Sequence, residues 1–121
     1  MESVFVYGTL RNGFHNHFIM NPTFNLGKGL TKEKYAMYES GIPFLVEDEP
    51  LVRITGELYM VDQTTFEILD ILEGHPKWYT RKKVDVIVEG EDHKAWVYFN
   101  EKQGTLIKTG DYADRTKHKP I

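Results

Sequence analysis

Two places in the chain combine residue types that could do chemistry without a metal or a thiol: the run Tyr7-Gly8-Thr9-Leu10 and the carboxylate Glu73. The first follows the alternating apolar stretch Val4-Phe5-Val6. A strand that stops abruptly at a glycine leaves backbone N–H groups without ladder partners, and a concave row of such donors can hold an anion or polarise a carbonyl. The Thr9 hydroxyl adds a further polar contact, and Arg11 either draws an anion toward the turn or only caps the loop. A plain strand ending in a tight turn reads from the same residues, because Tyr-Gly-Thr is ordinary turn chemistry.

Glu73 is conspicuous because of its position on a helix. Asp62 is a good N-cap, Thr64-Thr65-Phe66-Glu67 opens the helix, and Gly74 stands where a left-handed C-terminal residue belongs, with Pro76 beyond. With Phe66 as origin, Leu69, Leu72, Ile68 and Ile71 fall at about 300°, 240°, 200° and 140°, and Glu73 at about 340°, inside the apolar arc. Glu67 and Asp70 fall at about 100° and 40°, off that arc, and are expected to face water. Burial and the negative end of the helix dipole both disfavour an ionised Glu73, which suits a group that takes a proton and returns it. The alternative is a frayed last turn that releases Glu73 to Lys77, Lys82 or Lys83.

The elements that must position these groups are mostly strands. Segments 34–38, 44–46, 51–61 and 84–88 read as strands, and 93–100 pairs with the last of them as a hairpin turning at Glu89-Gly90-Glu91-Asp92. Val52, Ile54, Leu58 and Met60 share one face of the long run, and Gly56 marks a bulge or a close approach. A short helical turn covers His15 to Met20. Six or seven strands and one solid helix predict an α+β fold, a single-domain mixed β-barrel over residues 1–121 with one main flanking helix.

Composition limits the function classes. The 121 residues suit one domain. Fifteen basic and eighteen acidic side chains leave a net charge of -3, with no electrostatic case for nucleic acid or an anionic membrane. No cysteine is present, and no apolar run approaches the ~20 residues of a membrane span, so a cytoplasmic protein is expected.

Together, Tyr7-Gly8-Thr9-Leu10, Gly56-Glu57-Leu58-Tyr59, Val61-Asp62 and Leu69-Asp70-Ile71-Leu72-Glu73-Gly74 with Pro76, Tyr79 and Arg81 resemble the γ-glutamylcyclotransferase-like family. The similarity is greatest to its short γ-glutamylamine cyclotransferase branch, and it covers roughly residues 3 to 20 and 51 to 99. The resemblance implies a mixed barrel with a flanking helix and an enzyme that needs no cofactor. It assigns substrate binding to Tyr7, Gly8, Thr9 and Leu10 and proton transfer to Glu73. The implied reaction converts a small γ-glutamyl compound to 5-oxoproline and a free amine, by a monomer or homodimer. A non-catalytic domain holding an acidic metabolite in the same cradle is the alternative. Residues 21–50 and the tail after Asn100 follow the family less closely and are expected to shape the leaving-group side.

Other signals point to structure. His15-Asn16-His17 has no third ligand nearby, and His75, His93 and His118 show no ligand grouping, so no metal is expected. The basic and aromatic run from Lys77 to Lys83 reads as a solvated strand face rather than a nucleic-acid groove. Ser3 and Ser40 have no paired His and Asp arrangement.

Overall fold

The computed structural model describes residues 1–20 and 23–115, so His118 lies outside the described residues. Five strands close a barrel in the order β1-β5-β2-β6-β7: β1 (Glu2–Val6), β2 (Phe24–Thr31), β5 (Thr55–Val61), β6 (Thr80–Val88) and β7 (Glu91–Phe99). Neighbours are antiparallel except β1 and β7, which run parallel where Val4 meets Trp96, so the barrel is mixed as expected. A second, three-stranded sheet joins β3 (Ala36–Glu39), β4 (Pro43–Val46) and β8 (Thr105–Leu106) in the order β4-β3-β8.

The helix α1 (Gln63–Glu73) lies where the cap residues predict it. Asp62 Oδ1 accepts from Thr65 N–H at 2.8 Å, which satisfies one of the free donors of the first turn. At the other end Gly74 adopts φ 65°, ψ 33°. Its N–H donates to the Ile71 carbonyl at 3.1 Å and that of His75 to the Asp70 carbonyl at 2.9 Å, the paired bonds of a Schellman motif. The last turn is therefore closed, and the frayed alternative does not occur.

The buried face of α1 is narrower than the full apolar arc. Phe66 and Leu69 are buried, whereas Ile68, Ile71 and Leu72 are exposed. The helix packs Phe66 and Leu69 on the outside of the barrel with Val4, Val6, Tyr59 and Val61. Phe5, Leu58, Val86, Ala95 and Val97 point inward to a separate cluster. Alternation along β1 and β5 thus feeds two cores, and β5 is buried on both faces rather than one. Of the two readings of Gly56, close approach is the one realised: a Cβ there would lie 2.6 Å from the Phe5 ring.

Several expectations are corrected. The long run predicted over 51–61 is a strand only from Thr55, with Val52 bridging Tyr35 separately. The strand β2 is additional, its pattern interrupted by two glycines and an irregular register between Asn25 and Gly27. Asp70 does not face water: both of its oxygens are engaged by Arg81. The helical turn expected over His15–Met20 is a 3₁₀ helix at His17–Met20.

Candidate active site

The end of β1, the end of α1 and the start of β4 converge on a cavity of about 120 Å³. Tyr7, Gly8, Thr9 and Leu10 form one wall and Glu73 another, so all five sequence-predicted residues meet in one place. Asn16, Ile42, Pro43, Leu72, Trp78, Tyr79 and Tyr98 complete much of the lining. The volume is below the few hundred Å³ typical of drug-sized sites and suits a compact polar head group.

The turn is built as an open set of donors. Among the described residues the N–H groups of Gly8, Thr9 and Leu10 have no hydrogen-bond acceptor, while the Gly8 carbonyl is used by Arg11 N–H at 3.0 Å and the Thr9 carbonyl by Asn16 N–H at 3.0 Å. His17 Nδ1 lies 2.9 Å from the Leu10 carbonyl. The carbonyls are thus occupied and the donors remain. Asn16 Nδ2 donates to Thr9 Oγ1 at 2.9 Å, which leaves the threonine O–H free to donate.

Gly8 is required for a reason the sequence does not display. A Cβ at this position would lie 2.4 Å from Pro43 Cγ, so the missing side chain admits the Pro43 ring and brings β4 against the turn. Room for a ligand is a consequence of that packing rather than of bare space over Gly8.

Glu73 is the last residue of α1, in the turn closed by the Schellman bonds, and its carboxyl makes no hydrogen bond to another described residue. Burial alone raises its pKa to about 7. The other titratable groups of the wall are three tyrosines, each with its hydroxyl already donating. Tyr7 donates to the Tyr98 carbonyl at 2.7 Å, Tyr79 to the Pro43 carbonyl at 2.6 Å, and Tyr98 to Asp70 Oδ1 at 2.6 Å. Burial pushes all three phenols up, reinforced by the Glu73 charge, so they remain protonated. Among the described residues of this wall, Glu73 is the group that changes charge near neutrality.

Arg11 has no place in the cavity wall. It is buried, donating through Nη1 to Asp111 Oδ1 at 2.7 Å, with Nε 3.9 Å from Glu57 Oε2. Both roles read for it, anion attraction and loop capping, give way to a buried ion pair beneath the turn. The basic run is also engaged: Arg81 pairs with Asp70, Lys82 with Glu47, and Lys83 lies over the Trp96 ring. No group of three or more His, Asp or Glu residues able to hold a metal occurs among the described residues.

The family model described as "Gamma-glutamyl cyclotransferase, AIG2-like" matches residues 4–114. The chain belongs to that family. This AIG2-like enzyme is 52% identical over 118 residues to a Methanocaldococcus jannaschii protein provisionally named gamma-glutamylcyclotransferase, covering 94% of this chain and 98% of the relative. It is 35% identical to gamma-glutamylaminecyclotransferase B of Danio rerio, covering 84% of this chain and 61% of that longer protein. A crystal structure of an AIG2-like protein from Mus musculus superposes with a TM-score of 0.74 at 31% identity, covering 83% of this chain and 77% of the other. A family match over this span accounts for the barrel, the flanking helix and the order of the motifs together.

Asn16, Ile42, Pro43 and Tyr98 are wall residues that no motif marks in the sequence, since their place depends on how β4, β7 and the loop after β1 pack. Tyr79 reads from the sequence either as a pocket-lining aromatic or as core or rim packing, and it is buried in the wall.

Proposed function

We propose that this AIG2-like protein closes the α-amine of a small γ-glutamyl compound onto its own γ-carbonyl, releasing 5-oxoproline and a free amine, with Glu73 as the proton carrier. The observation that carries this reading is a buried carboxyl, raised to a pKa of about 7, that among the described residues has no hydrogen-bond partner and shares a small cavity with three backbone N–H groups without acceptors. The N–H groups of Gly8, Thr9 and Leu10 hold the substrate's oxygens, and the Thr9 hydroxyl supplies a further donor. Glu73 removes one proton from the α-ammonium, and the freed amine attacks the γ-carbon to form the ring C–N bond. Glu73 returns that proton to the leaving nitrogen as the old C–N bond breaks, then relays the second proton from the ring nitrogen. The amine leaves as an ammonium ion and the carboxylate is restored.

The step needs no enzyme nucleophile. Holding the chain in its ring-closing conformer supplies much of the rate, since effective molarities for well-oriented groups reach about 10⁵ M or more. The leaving group is directed past Trp78, which lines both the cavity and a wider polar groove bounded by Glu47–Glu49 and Asn100–Gln103. This placement supports a leaving-group side shaped by β4 and the loop after β7.

Release of 5-oxoproline from γ-glutamyl-ε-lysine, γ-glutamyl amino acids and glutathione tests the reading. At least one of these is expected to be turned over, and Glu73→Gln is expected to lower kcat by about 10²-fold or more with 5-oxoproline binding little changed. Normal turnover by the Gln variant would overturn the role of Glu73. Binding of 5-oxoproline without turnover of any substrate would favour the non-catalytic binding domain.

A further inference from the structure

Apolar packing anchors α1 through Phe66 and Leu69, but the turn that carries Glu73 lies beyond them, and there Ile71 is 80% and Leu72 41% exposed. What holds that turn to the barrel is polar. Asp70 Oδ1 accepts from Tyr98 O–H at 2.6 Å and from Arg81 Nε at 2.8 Å, and Oδ2 accepts from Arg81 Nη2 at 3.1 Å. The Arg81 guanidinium is itself flanked by the Phe66 and Trp96 rings, 4.3 and 4.4 Å from their centroids. A bidentate pair with stacked faces fixes direction as well as distance.

Tyr98 then extends the connection to the other half of the cavity. Its carbonyl accepts from the Tyr7 hydroxyl at 2.7 Å, so two hydrogen bonds link Asp70 on α1 to the first residue of the donor turn. The helix end and the turn are both referenced to one residue of β7.

The geometry points to Asp70 as a positioning residue that, through Tyr98 and Arg81, sets the Glu73 carboxyl opposite the Tyr7–Leu10 turn. This rests on the reading of Glu73 as proton carrier. Burial works against the Asp70 charge, but the hydrogen bonds from Arg81 and Tyr98 outweigh it and hold its pKa below the ordinary value. Asp70 therefore stays a fixed anion while Glu73, one turn on, exchanges protons. Misplacement of a reacting group by about 1 Å can cost about 10²-fold in rate, so Asp70, which is not among the residues lining the cavity, has kinetic consequences through the groups it holds.

The test compares Asp70→Asn, Tyr98→Phe and their combination in the full chain, with Glu67→Gln as a control on the exposed side of the same helix. For a substrate the unmodified protein turns over, each single variant is expected to lower kcat by about tenfold or more with KM changed by less than about threefold. The pair is expected to be no worse than the poorer single, because both remove one shared contact. Independently of turnover, the Glu73 carboxyl followed by ¹³C NMR is expected to titrate lower in both variants, toward an ordinary glutamate. If Asp70→Asn fails to fold, Tyr98→Phe, which keeps the ring, carries the comparison.

An unchanged kcat and pH profile per folded molecule, with only a lower Tm, would overturn the inference and leave Glu73 as proton carrier untouched. Full activity of Glu73→Gln would instead overturn that reading. The NMR titration then decides the positioning link alone: a shifted midpoint sustains it and an unshifted one overturns it.

Discussion

Glu73 sits where a carboxylate is costly. Its pKa of about 7 lies above the ordinary 4.5, so the folded protein binds a proton that the unfolded chain releases between those values. The sign follows: the native state is favoured at low pH and loses that advantage as pH rises from about 4.5 through about 7, by about 3 kcal/mol in full. Glu73→Gln removes the titration while keeping the shape. The variant is expected to gain Tm relative to the unmodified protein as pH is raised from 5 to 8, measured by thermal unfolding across that range. Activity has the opposite sign, because the base must be ionised. kcat/KM is expected to fall about tenfold per unit below a limb near pH 7, and the same scan reads both effects. The anomaly of this carboxylate was legible in the sequence from angular position and Gly74 alone. Asp70 was not, because its two partners lie on strands β6 and β7 and no local spacing announces them.

At the scale of elements, the small sheet is part of the site rather than an appendage. Pro43 opens β4, packs into the space above Gly8, and offers its carbonyl to Tyr79. Gly8→Ala is therefore expected to push β4 away from the turn. The consequence is a loss of both stability, by about 1–3 kcal/mol as for other overpacking changes, and 5-oxoproline affinity, by about tenfold or more, read by thermal unfolding and calorimetry. The helix, the β6–β7 hairpin and the opening strand were legible because caps, a glycine-containing turn and alternation are local signals, although the turn read over Glu89–Asp92 is only Glu89-Gly90, with β7 starting at Glu91. β2 was not: Phe24, Leu26 and Leu30 are exposed, and glycines interrupt the pattern, so no period-2 stripe marks it as a central barrel strand. The course of 51–54 was misread because an alternating run carries no sign of where strand pairing stops.

At the scale of the whole molecule, the chain is closed by its C-terminal part. β8 pairs with β3, the Thr55 N–H donates to the Gly110 carbonyl at 2.9 Å, and Tyr112 joins the inner core. Arg11 ties this segment to the opening strand through Asp111, and approaches Glu57, whose Oε1 already accepts from Asn12 N–H and Tyr59 O–H. Arg11→Ala leaves two carboxylates without their cation in a site of low exposure. It is expected to cost about 3–5 kcal/mol in chemical denaturation at pH 7. Burial opposes the Asp111 charge, yet hydrogen bonds from Arg11 and Ala113 hold its pKa below 3.8. Its stabilising contribution is thus present above that value and is lost as pH falls through the depressed one, so the gap between variant and unmodified protein narrows in acid. The family similarity over residues 4–114 includes this closing segment, whereas its motif signals lie before Asn100.

Trp78 stands half exposed at the mouth of the cavity, with its ring edge-on to Phe44 and Tyr79. The chain's other indole, Trp96, is not among the residues lining the cavity and is held by a hydrogen bond to Glu2 and by Arg81 across its face. One fluorophore thus borders the space a ligand fills while the other is fixed away from it. The protein carries its own optical gauge of occupancy: emission from Trp78 reports filling of the cavity in real time, and a Trp78→Phe variant supplies the blank.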